Sequence, residues 1–174
     1  MFGFFKKLKG EERARQTLYQ IEINDDEINK NISKLVLKLQ DKIKTFKSHL
    51  ETENIEQKEE DFQTMYEFIL NIKTMFKELE DDVEKIIALE MEYKTYFIIK
   101  DDAFLLDKRE QIKMILNNID AFLTIVQQRP SFRDLRQELF DKMVGAINTM
   151  SIGVSKIVRD DENLRVIYKK LSEI

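Results

Sequence analysis

The chain has 174 residues, 43% of them hydrophobic and 36% charged, with 4 Gly, 1 Pro, no Cys and a formal net charge of −4. That composition excludes disulfides, thiolate metal sites and thiol catalysis, fits a cytoplasmic protein, and leaves almost no punctuation for hairpins or linkers. The length suits one domain with a sizeable core, and no apolar run approaches the roughly 20 residues that span a bilayer.

The chain opens on a basic, aromatic segment, residues 1–10, ahead of a single helical domain, 11–174. Met1, Phe4, Phe5 and Leu8 fall on one helical face, Phe2 adds bulk, and Lys6, Lys7 and Lys9 bring charge. Its apolar residues precede its lysines and are too few for a secretory signal. Exposed phenylalanines are costly in water. A lysine-flanked aromatic segment suits a bilayer interface, or equally a partner protein or the bundle itself. Phe2, Phe4, Phe5, Lys6, Lys7, Leu8 and Lys9 are therefore the contact candidates.

A weak helix is expected over 11–22. Asn24, with Glu27 three residues on, reads as a capping box that opens a second helix carrying Ile28, Ile32, Leu35, Leu39, Ile43, Phe46 and Leu50. Lys30, Lys34, Lys38 and Lys42 form a ridge on that helix, away from the apolar face, and read as a solvated face. Asn54 with Gln57 repeats the capping pattern. From Phe62 the residues Met65, Ile69, Ile72, Phe76, Leu79, Val83, Ile86, Glu90, Tyr93 and Phe97 continue in alternating steps of three and four, a heptad interrupted only by Glu90. This predicts a long, coiled-coil-like helix over about 55–99, and at 1.5 Å per residue it would be about 68 Å long. Its excess over its neighbours calls for cover by short terminal helices, a break near Glu80-Asp81-Asp82, or a second subunit. Short helices are the expectation.

A turn at Lys100-Asp101-Asp102 leads to a helix over 102–128 with Leu105, Ile112, Ile115, Ile119, Phe122 and Val126. Pro130, Ser131 and Asp134 mark another start. Phe132, Leu135, Leu139, Met143, Ala146 and Met150 follow, with Gly153 as a kink or an end. A last helix covers 161–173. Residues 93–106 are apolar on several sides, so Tyr93, Tyr96 and Phe97 form a second candidate partner surface.

The fold class expected is all-α: an elongated antiparallel bundle of four to five helices with one long heptad-patterned helix. No catalytic, cofactor-binding or metal-ligating set is legible. The single histidine, His49, has Phe46 three residues before it, so Glu-x-x-His pairs are impossible. The doublets Asp25-Asp26, Asp81-Asp82, Asp101-Asp102 and Asp160-Asp161 read mostly as helix caps, because no Asp-x-Asp-x-Asp-Gly loop surrounds them. Residues 1–50 hold 11 Lys/Arg against 7 Asp/Glu, and the remainder 18 against 26. That gradient suits self-assembly or an anionic surface and is no nucleic-acid footprint. The reading is a non-enzymatic adaptor or assembly protein, cytoplasmic, acting on a protein partner or on itself as a homodimer, without cofactor. The alternatives are a peripheral membrane protein using the N-terminal segment, and a bundle enzyme with an all-carboxylate metal site.

Overall fold

The computed structural model describes residues 2–49, 54–93, 103–127 and 137–174. It is all-helical, with no strand among the described residues: α1 is Phe2–His49, α2 Ile55–Glu92, α3 Ala103–Gln127 and α4 Gln137–Ser172. The four helices pack together. α1 lies against α2 and α4, and α3 against α4 and α2, so α1 faces α3 across the core.

Two expected boundaries are absent. α1 runs unbroken for 48 residues, and at about 72 Å it is the longest described helix. Asn24 caps nothing; it sits mid-helix and accepts a bond of 3.3 Å from Gln20 Nε2. The reason is an inward stripe that never lapses: Ala14, Leu18, Glu22, Asp25, Asn29, Ile32, Val36, Leu39, Ile43 and Phe46 are all buried. Helix-long tertiary contact outweighs the local capping preference of an Asn. α4 likewise runs through Gly145 and Gly153, and Asp160-Asp161 lies within it rather than at a start. The terminal segments are thus the ends of long helices, not separate covering helices.

α2 matches its expected start. Asn54 Oδ1 accepts the backbone N–H of Gln57 at 3.1 Å, and the stripe from Phe62 to Ile86 is buried throughout, with no break at Glu80-Asp81-Asp82. Lys100, Asp101, Asp102, Pro130, Ser131 and Asp134 lie outside the described residues, as do Tyr96 and Phe97.

The two mid-helix glycines of α4 differ in kind. A methyl built on Gly153 would stand 2.7 Å from Ile115 Cδ1, whereas at Gly145 nothing lies within 4 Å. Gly153 lets α3 and α4 approach closely, and it neither kinks nor ends the helix. Gly153→Ala should therefore cost about 1–3 kcal/mol by overpacking, while Gly145→Ala should add about 0.5–1 kcal/mol by removing the flexibility of a helical glycine. Urea unfolding midpoints that shift in opposite directions check both. Phe76, 1% exposed, should cost about 3–5 kcal/mol as Phe76→Ala in the same assay.

Candidate functional site

The core of the bundle is not uniformly apolar. At one level Glu22, Asp25 and Asn29 of α1, Lys108 of α3 and Asp161 of α4 are buried together, with Lys108 and Asp25 at 0% exposure. Each occupies a place where its helix turns a side chain inward. Lys108 continues the row Leu105, Ile112, Ile115, Ile119 and Phe122, and Asp161 stands between Ile157 and Leu164, all buried.

The ammonium of Lys108 is the hub. Its Nζ donates to Asp25 Oδ2 at 2.7 Å and lies 3.8 Å from Glu22 Oε1. It also pairs with Asp161 Oδ1, whose other oxygen accepts a hydrogen bond from the Asn29 side-chain amide. Asp82 of α2 meets Asp25 from the solvent side, in hydrogen-bonding contact, and its outer face pairs with Lys85 at 3.2 Å. All four helices therefore reach this layer.

Burial decides the charge state. It pushes the carboxyl of Asp25 up to about 8; Lys108 opposes the rise and the contact with Asp82 adds to it. Burial also holds Glu22 well above the usual carboxylate range against the pull of Lys108, with Asp161 and Asp25 reinforcing it. On Lys108 burial acts downward, but Asp161, Glu22 and Asp25 together outweigh it and keep the ammonium charged. Glu22 lies against Asp161 and Asp25 against Asp82, and both oxygens of Glu22 and the Oδ1 of Asp25 are buried without a hydrogen-bond partner, so burial favours the protonated form of Glu22 and Asp25. The layer thus carries one strong cation and bound protons rather than a set of bare carboxylates.

Further pairs ring the layer. Asp26 is held down by its hydrogen bonds to Lys30 and Arg165, at 2.7 Å and 2.6 Å. Tyr168, fully buried, donates its hydroxyl to Glu90 Oε1 at 2.7 Å, which accounts for the polar break in the heptad of α2. Arg109 meets Glu84 at 3.0 Å. An open groove of about 410 Å³ between α1 and α2, lined by Glu27, Glu78, Asp81 and Asp82 among others, leads down to the layer.

Oxygens of Glu22, Asp25 and Asp161 lie within 4.8 Å of one another, a spacing that suits a cation. The cation at hand is the Lys108 ammonium, so the chemistry of this arrangement is to hold charge and protons. Of the sequence-derived candidates, Phe2, Phe4, Phe5, Lys6, Lys7 and Leu8 have helical backbone in α1, and their side chains lie outside the described part. Lys9 is exposed. Tyr93 ends α2 half-buried, its hydroxyl 3.0 Å from where a Gly10 Cβ would stand. The lysine ridge is not wholly solvated, because Lys42 reaches across to the fully buried Asp61 of α2 at 2.8 Å. The doublets are corrected too: Asp25 and Asp161 lie in the layer, and Asp82 meets it, rather than capping helices. Spacing alone would have shown the layer, since Lys108 and Asp161 sit in rows otherwise made of apolar residues.

No family model, curated protein or solved structure matches this chain.

Lys108→Met should cost about 3–5 kcal/mol near neutral pH, because it removes the cation that balances the negative charge remaining on the partly protonated carboxyl set. The loss should be smaller at pH 5, where protons replace the ammonium. Guanidinium unfolding of the variant at both pH values checks this.

Proposed function

We propose that this is a non-enzymatic helical adaptor or assembly protein that works through helix-on-helix contacts, with the N-terminal part of α1 as its contact element. Its neighbouring helices run antiparallel and pack in coiled-coil fashion. That topology is supported by the register of side-chain pairs: Lys42 with Asp61, Lys73 with Asp120, Gln40 with Ser151 and Asp26 with Arg165.

The observation that carries the function is the length of α1. Continuing the Gln40–Ser151 and Asp26–Arg165 register brings Ser172, the last residue of α4, level with about Tyr19. α1 begins at Phe2 and so passes the end of α4, with the close of α2 beside it at Gly10. A helix that outruns its partner offers a face to another helix. A non-enzymatic role is supported by the layer itself, where Glu22, Asp25 and Lys108 are buried against one another in ion pairs.

A peripheral membrane role is the second reading. It is favoured by the helical backbone of α1 reaching back to Phe2, so that Phe2, Phe4, Phe5, Lys6, Lys7, Leu8 and Lys9 all belong to its leading turns. No helix among the described residues is long and apolar enough to cross a membrane. A cytoplasmic location agrees with a chain that has no Cys. A carboxylate metal enzyme is disfavoured, because Lys108 already fills the cation's place.

Removal of residues 2–9 should leave the thermal midpoint nearly unchanged and abolish concentration-dependent self-association in sedimentation velocity. Binding of the full chain to anionic vesicles that fades with salt would instead establish the membrane reading.

A further inference from the structure

The charged layer lies toward the end of the core that carries the N-terminal part of α1, and the rows below it are apolar apart from the Lys42–Asp61 pair. Below it, Ile32–Phe46, Phe62–Phe76, Ile112–Phe122 and Met143–Val154 supply buried hydrophobic rows. The layer faces the same end as the N-terminal part of α1. Its carboxyl groups outnumber its cations. Asp25 is faced by Glu22 from its own helix, by Asp82 from α2, by Lys108 from α3 and by Asp161 from α4. Glu22 is faced by Asp25, Lys108 and Asp161. One ammonium cannot neutralise this set, and a dry interior does not tolerate the remainder as free charge. Protons must make up the difference.

We propose that this layer is a proton-held clasp: protons held on the buried Glu22 and Asp25, where they face Asp161 and Asp82, keep the end of the bundle that carries the N-terminal part of α1 closed, and their loss opens that end while the apolar rows below stay packed. The groove lined by Glu27, Glu78 and Asp81 gives protons a route from solvent to Asp82, and Asp82 meets Asp25. The clasp responds to alkali, not acid. Asp25 in the folded chain rises from the ordinary 3.8 to about 8. Between those values the folded chain binds more protons than the unfolded chain, so closure weakens as pH rises through that window. For each extra proton held, the closed-to-open ratio falls up to about tenfold per pH unit. Asp26, held down by Lys30 and Arg165, acts oppositely but only at acid pH. The device stands independently of what α1 contacts.

The test is hydrogen exchange of the full chain by mass spectrometry at pH 6, 7.5 and 9, with rates corrected for intrinsic exchange. Peptides from 11–29, 103–109 and 158–172 should lose protection by at least tenfold between pH 6 and 9. Peptides from 32–46 and 62–76 should hold theirs. Asp25→Asn should remove most of the pH dependence, because its side chain cannot ionise. Asp82→Asn, at the partly exposed edge where the fold tolerates change, should reduce it and serves if Asp25→Asn fails to fold. Uniform loss of protection along all helices, no loss, or a response unchanged in the foldable variant would overturn the proposal. Full restoration of protection at pH 9 by millimolar Mg²⁺ or Ca²⁺ would also overturn it, by assigning the neutralising role to a metal.

Discussion

One buried ammonium organises this bundle. Lys108 has no water to solvate it, so its charge has to be met by carboxylates, and those must come from other helices. Asp25 and Glu22 arrive from α1 and Asp161 from α4. The positions of three helices along their axes are therefore tied to a single atom. Apolar rows do not impose that condition. A heptad stripe displaced by seven residues still meets apolar residues, whereas Lys108 so displaced would face hydrocarbon. A buried polar layer of this kind sets register at some cost in stability.

Features that look like blemishes in the chain each have a partner in the interior. Glu90 interrupts the heptad of α2 because the hydroxyl of the buried Tyr168 needs an acceptor. The doublet Asp25-Asp26 occurs in mid-helix because one member turns inward to the layer while its neighbour serves the surface: Asp25 reaches Lys108 while Asp26 reaches Arg165. Gly153 sits inside a helix because Ile115 occupies the space a methyl would need.

Much of the fold was legible in the sequence, and the reasons are physical. All-helical character follows from apolar rows repeating every three or four residues with hardly any Gly or Pro. The start of α2 follows from Asn54, whose side chain caps as its residue type prefers. The boundaries at Asn24 and Asp160 failed because the same residue types also serve as buried polar groups, and local preference cannot tell a cap from a tertiary partner. The site was missed for a related reason. Tracing an apolar stripe passes over its polar members, and Lys108 is a polar member of a row that is otherwise Leu, Ile and Phe. The N-terminal candidates were found by composition, which identifies a segment costly to leave in water but not what covers it.

The layer also joins distant parts of the chain. Lys108 and Asp25 are 83 residues apart, and Asn29 and Asp161 are 132 apart. As the chain emerges during synthesis, α1 carries its acidic groups long before Lys108 exists to meet them, and Asp161 comes later still. Until α4 docks, Asn29 lacks its acceptor and Lys108 one of its counter-charges. Closing such separations carries an entropic cost and slows the final step. α4 is thus the helix that completes this layer, and a nascent chain without it leaves Asn29 and Lys108 to be satisfied by water.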